Sequence, residues 1–360
     1  VKITSVEVFS HPLKLSRPYT IAYETITEIT NLFVCIHTNS AHRGLGCAAP
    51  AAAVTGERVD DTRRVLFDIA VSLLVGEDPL LRVRLMERLK EAAQQRAPHG
   101  APAALAAVDM ALHDVLAKIA GQPLYRVLGG YRPCIQTSMT IGILSEKETV
   151  ARAKALFAQG FRALKLKGGL HVEDDIVRVC KVREALGGGV ELRFDANQGY
   201  DHKAAMRFLN GVQAAHIALL EQPTPRGRPR VLAQLSSTAT IPVMADESLL
   251  ETGDAFRIAR NELADMLNIK LMKVGGLLEA QLVDCVAQAA HLETMVGCMD
   301  EAALSIAAAL HFALARPNVT CADLDGHLGL IDDPTAAAVT LEDGVLYPAL
   351  GPGLGLRDIC

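Results

Sequence analysis

At 360 residues, half of them hydrophobic and 21% charged, the chain can form a large core and two or three domains. A net charge of −5 gives no reason to expect nucleic acid or an anionic membrane surface as a partner. The eight cysteines (35, 47, 134, 180, 285, 298, 321 and 360) form no CxxC pair and no short framework. They read as reduced thiols, which makes a cytoplasmic setting the default.

The first segment, Val1–Ser10, alternates like a strand and lacks the apolar run of a signal peptide. No stretch resembles a membrane span. After a loop around Arg17–Thr25, Leu32–Thr38 reads as a second strand, and the polar Asn39–Gly46 suits a hairpin connection. Helices follow over roughly 57–75 and 79–95. The clearest is Ala103–Ala120, opened by Pro102 and closed by Gly121. These elements make an α+β unit over residues 1–125.

From Ile135 onward strand and helix alternate. Candidate strand ends fall at Thr140, Lys167, Asp195, Glu221, Asp246, Lys270, Cys298 and Asp323. Ser145-Glu146-Lys147-Glu148 has the form of a capping box, and Gly160 ends that helix. Eight such periods over 126–339 predict an α/β barrel with its active site at the C-terminal mouth of the strands. An open doubly wound sheet is the competitor, but it does not explain polar residues at so many strand ends. The Gly- and Pro-rich segment 340–360 is expected to fold back on the first unit.

Asp195, Glu221 and Asp246 each close an apolar strand, at separations of 26 and 25 residues. Each gap holds one crossover helix, so the strands run parallel and the three acids converge. Crowded carboxylates repel unless a cation joins them, and a hard divalent ion such as Mg²⁺ suits oxygen ligands. A single acid at a strand end is ordinarily a helix N-cap. Their joint spacing with three lysines favours a metal site.

Lys165-Leu166-Lys167 closes the second barrel strand, and alternation sends both amines to one side. Lys270 closes the sixth strand, which faces the second across a barrel mouth. A lysine from each side could take a proton from one face of a carbon and return one to the other. An ordinary lysine is already protonated at neutral pH, so a neighbouring cation or burial is expected to lower its pKa.

In order, Lys165-x-Lys167, Asp195-Ala196-Asn197, Glu221-Gln222-Pro223, Ala245-Asp246-Glu247-Ser248 and Asn268-Ile269-Lys270 resemble the pattern of the enolase superfamily. The resemblance is to its muconate-lactonizing subgroup and most closely to dipeptide epimerases. It implies a modified (β/α)7β TIM-type barrel with an N-terminal α+β capping domain. Mg²⁺ or Mn²⁺ would be held by Asp195, Glu221 and Asp246. Lys167 and Lys270 would be the acid/base pair, supported by Lys165, and would interconvert L,L- and L,D-dipeptides through an enediolate. Asn197 and Glu247 would stand behind the ligands. The seventh strand ends in Gly297-Cys298-Met299-Asp300-Glu301 without the His of the His–Asp members, so two-lysine chemistry is preferred.

Asp323-Leu324-Asp325 closes the eighth strand and matches the clamp for the α-ammonium of a dipeptide. Epimerases acting on Ala-Glu carry an arginine where Glu24 stands, and Asp300 adds an acid at the mouth. Together they favour a hydrophobic or cationic epimerised residue, although Arg17, Tyr19 or Tyr23 leaves an acidic one open. Rival readings are an L-Ala-D/L-Glu epimerase, a muconate cycloisomerase or o-succinylbenzoate synthase, and a non-catalytic ligand-binding barrel. The expected partner is a small dipeptide, and a homo-oligomer is compatible with all of these readings.

Overall fold

The computed structural model describes residues 1–22 and 25–356. The chain opens with two long antiparallel strands, β1 (Ile3–Thr20) and β2 (Thr25–Thr38), followed by β3 (Arg43–Ala48) on the far side of β2. Strand pairing runs on to Tyr19↔Ile26 and Thr20↔Thr25. The loop expected over Arg17–Thr25 is therefore mostly strand. Its β-branched and aromatic residues satisfy each other across the ribbon, which no local turn signal reveals.

Helix Arg82–Arg96 packs against helix Pro102–Ile119, which lies on β3 and β2 of this sheet. The first starts three residues later than expected. The Asp78 side chain accepts from Leu80 N at 3.0 Å and its carbonyl from Leu81 N at 3.1 Å, so 78–81 form a turn instead. The segment expected as one helix over 57–75 is Val59–Arg64 and Val71–Leu74 joined by a π-helical turn, Val65–Ala70. Pro102–Ile119 lies very close to β3. A Cβ on Gly44 would sit 2.1 Å from Ala111 O, and one on Gly46 would sit 1.9 Å from Ala107 O. Glycines two apart on the strand thus face alanines four apart on the helix.

After a short strand, β4 (Ile135–Gln136), eight parallel strands follow in sequential order. They are β5 (Met139–Ile141), β6 (Ala163–Lys167), β7 (Glu191–Asp195), β8 (Leu219–Glu221), β9 (Val243–Ala245), β10 (Met266–Ile269), β11 (Glu293–Gly297) and β12 (Val319–Asp323). Every end falls within one residue of its sequence expectation. The ring closes where Thr137 bridges Ala322 and Ser138 N donates to Ala322 O at 3.1 Å. Ser145 and Glu148 form the expected capping box on Glu146–Ala158.

The last crossover helix, Ala303–Ala315, is buried at every residue because cap, barrel and tail all pack on it. Beyond β12 the chain returns twice. β13 (Leu330–Ile331) adds an edge to the cap sheet through Lys14↔Ile331, while β14 (Val339–Glu342) pairs with β15 (Val345–Pro348), which in turn pairs with β4. Leu354 N then donates to Asp114 Oδ1 on Pro102–Ile119 at 2.8 Å. Among the described residues no helix is long and apolar enough to cross a membrane.

Candidate active site

Parallel strands in sequential order put all their C-terminal ends on one rim. Asp195, Glu221 and Asp246 meet there, with one oxygen of each within 4.8 Å of the others and all three side chains buried. Burial and the charge of Asp195 push the Glu221 carboxyl up to about 7. Burial acts in the same direction on Asp246, but Lys270 and Lys273 hold it well below the usual carboxylate range. Asn268 donates to Glu221 Oε1 at 2.6 Å, and the Asn197 amide N–H to Asp195 Oδ1 at 2.8 Å. Asn268 lies two positions before Lys270, so strand alternation turns it towards the same mouth.

A hard divalent cation fits this donor set. Three carboxylates offer oxygens at one point, and their mutual repulsion is what a cation relieves. Asn197 Oδ1 and Glu247 Oε2 are also buried beside the triad with no hydrogen-bond partner among the described residues. Backbone strain collects here too. Asn197, Gln198 and Gln222, which follow two of the three acids, have φ of 42°, 66° and 29°.

The lysines ring the triad. Lys167 Nζ donates to Asp195 Oδ2 at 2.6 Å and Lys270 Nζ to Asp246 Oδ2 at 2.8 Å, so the two amines approach through different acids. Lys165 Nζ lies 3.5 Å from Glu221 Oε2 and also pairs with Asp323. The sequence suggested depressed lysine pKa values. With the protein's own charges the result is the opposite for two of them. Burial acts to lower Lys165 and Lys270, but Asp323 holds the first above its ordinary value and Asp246 the second. A cation on the triad would compete with Lys270 for Asp246.

Lys273 is fully buried and gives its three hydrogens to Asp246 O (2.6 Å), Asp246 Oδ1 (2.5 Å) and Asn268 O (2.9 Å). Glu247 lies behind the triad, where Asn197 Nδ2 is 3.4 Å from its Oε1, and burial pushes its carboxyl up to about 8.

Asp323 and Asp325 both reach the mouth but have different partners. Ser138 Oγ donates to Asp323 Oδ1 at 2.5 Å, and Thr140 N donates to Asp325 Oδ2 at 2.6 Å. Asp300 also faces the cavity, where Tyr19 reaches it from the cap. Glu24 lies outside the described residues. Sequence reading missed Ser138 and the Tyr19–Asp300 contact, whose partners are remote in the chain. A cavity of about 1130 Å³ lies at the mouth, lined on its cap side by residues of β1 and β2.

Fold and site together define a capped α/β-barrel with an acidic triad and flanking amines. Two family models match the chain: "Mandelate racemase / muconate lactonizing enzyme, N-terminal domain" over residues 3–129 and "Enolase C-terminal domain-like" over residues 148–357. The chain belongs to the mandelate racemase/muconate lactonizing branch of the enolase superfamily. It is 42% identical over 357 residues to an L-Lys-D/L-Arg epimerase of Methylococcus capsulatus, covering 99% of each chain. It is 37% identical over 360 residues to an L-Lys-D/L-Arg epimerase of Desulforapulum autotrophicum, covering 100% of each. A crystal structure of the dipeptide epimerase from Methylococcus capsulatus complexed with Mg and the dipeptide L-Arg-D-Lys superimposes with a TM-score of 0.92. That pair shares 41% identity and covers 99% of this chain and 100% of the other.

Proposed function

We propose that the chain is a Mg²⁺-dependent dipeptide epimerase acting on the residue that bears the free carboxylate, preferably one with a cationic side chain. The observation that carries the reading is the placement of two amines on separate acids of one triad, Lys167 at Asp195 and Lys270 at Asp246. Asp195, Glu221 and Asp246 would hold the ion, whose charge would stabilise negative charge developing on the substrate carboxylate. Lys167 takes or gives that proton on one face and Lys270 on the other. Lys165 keeps a positive charge beside them, and Asp325 with Asp323 receives the α-ammonium.

Residues 1–125 act as the cap that excludes water from the barrel 126–339. Asp300 supplies negative charge at the mouth, which supports a cationic side chain, as do the names of the two relatives. The cysteine spacing, with no CxxC pair and no short framework, supports a reducing, cytoplasmic setting.

The test is a dipeptide panel incubated with Mg²⁺ in D₂O, with α-deuterium followed by mass and configuration by chiral separation. Exchange with inversion is expected first with dipeptides ending in Lys or Arg. Turnover of muconate or succinylbenzoate precursors with no dipeptide exchange would move the assignment to a cycloisomerase or synthase.

A further inference from the structure

Behind Lys167 stands a buried ion pair that does not line the cavity. Asp175 and Arg178, on the helix Val172–Leu186 that follows β6, are 2% and 3% exposed; Tyr200, from the loop after β7, is 3% exposed. Asp175 Oδ2 accepts from Gly169 N at 2.8 Å and from the Tyr200 hydroxyl at 2.5 Å, while Oδ1 accepts from Arg178. Arg178 Nη2 also donates to the carbonyl oxygen of Lys167 at 2.9 Å.

The main chain around Lys167 has no slack. Gly168 N donates to Asp195 O at 2.9 Å. A Cβ on Gly168 would lie 2.2 Å from Phe194 Cζ, and one on Gly169 would lie 2.1 Å from Ala196 O. A buried ion pair adds little stability over apolar residues of similar volume, so stability alone does not account for this one. Its hydrogen bonds converge on the strand end that carries one proposed base.

We propose that Asp175, Arg178 and Tyr200 are positioning residues for Lys167, fixing its backbone so that the amine meets the substrate's α-carbon from one face. This rests on the epimerase reading above. Lys270 has a different anchor, because Lys273 ties Asp246 to Asn268 on the opposite side. The two faces are therefore held by separate networks. A fault in the Arg178 network slows proton removal on the Lys167 face and leaves the Lys270 face at its normal rate.

The experiment measures loss of the α-proton in D₂O from each epimer separately, with Mg²⁺ present. Lys270→Ala identifies the epimer served by Lys167, since only that face remains active. Arg178→Met is expected to slow exchange from this epimer by about tenfold to a hundredfold, the range for a slightly misplaced group. The other epimer keeps the wild-type rate. Tyr200→Phe retains the ring that packs on Phe194 and Phe208 and loses only the hydroxyl, so it should show the same selectivity at smaller size. It decides the matter if Arg178→Met does not fold. Face-selective slowing in either folded variant supports the assignment, and equal slowing or none in the folded variants overturns it. A wild-type chain that exchanges no dipeptide would strike the epimerase reading itself.

Discussion

Tyr19 spans the cavity to Asp300, with its hydroxyl 2.7 Å from Oδ2 and 2.9 Å from Oδ1. The contact joins β1 of the cap to the loop after β11. Burial, then the charge of Asp300, raises the Tyr19 hydroxyl well above its ordinary value, so it donates and Asp300 remains the acceptor.

An acid held in this way should favour a cationic substrate side chain. A hydrogen bond to a charged group contributes about 1.5–3 kcal/mol. Asp300→Asn is therefore expected to lower the preference for a dipeptide ending in Arg over one ending in Leu by about tenfold or more. The measurement is the ratio of kcat/KM for the two substrates. An unchanged ratio would remove Asp300 from side-chain recognition.

The two amines predict a paired result in isotope exchange. Lys167→Ala and Lys270→Ala should each reduce epimerisation by about a thousandfold, within the usual range for a proton-transfer group. Each variant should still exchange the α-proton of one epimer, and the surviving epimer should differ between them. Full epimerisation by either variant refutes a two-base mechanism.

The barrel was legible because its strands neighbour one another in chain order. Regular spacing along the sequence maps directly onto neighbours around the ring, and Asp195, Glu221 and Asp246 fall together for that reason. The long β1–β2 ribbon was hidden, since Tyr19↔Ile26 and Thr20↔Thr25 are tertiary choices with no turn signature between them. Nor could spacing show Tyr19 against Asp300, 281 positions apart. The Asp323-x-Asp325 pattern placed both acids at the mouth but could not show that Lys165 and Ser138 engage the first.

That division of partners gives Asp325 its own test. Burial and the charge of Asp323 raise its carboxyl, a conflict that a substrate ammonium would relieve. Asp325→Asn is expected to lower the preference for a free α-amino dipeptide over its N-acetyl form by about tenfold, the loss of one charge-assisted contact. Kinetics on the two forms checks it. A preserved preference would place the ammonium elsewhere.

Chelation should separate activity from folding. Lys165, Lys167, Lys270 and Lys273 contact the acids of the triad directly, so these amines offset much of the acids' charge when no ion is bound. With EDTA, α-proton exchange is expected to vanish while melting stays cooperative, and Mg²⁺ should restore exchange. Mg²⁺ at a hundred times its Kd should add about 2.7 kcal/mol, read as a higher Tm. A chain that unfolds in EDTA contradicts this charge balance.

Far from the triad, Glu57 gives the fold a pH dependence of its own. Its carboxyl accepts from Ala103 N at 2.7 Å, Ala104 N at 3.3 Å and the Thr62 hydroxyl at 2.7 Å, at the start of Pro102–Ile119. Burial nevertheless pushes it up to about 7. An unfolded glutamate titrates near 4.3, so between about pH 4.3 and 7 the folded chain carries a proton that the unfolded chain lacks. The stability this group confers is fully present below that window, falls as pH rises through it and is constant above, a change of about 4 kcal/mol. Glu57→Gln keeps the shape and stays neutral, with its amide able to face the Thr62 hydroxyl. The drop in Tm from pH 5 to pH 8 should therefore be smaller in Glu57→Gln than in the wild type. Equal drops would mean that Glu57 is already ionised throughout that range.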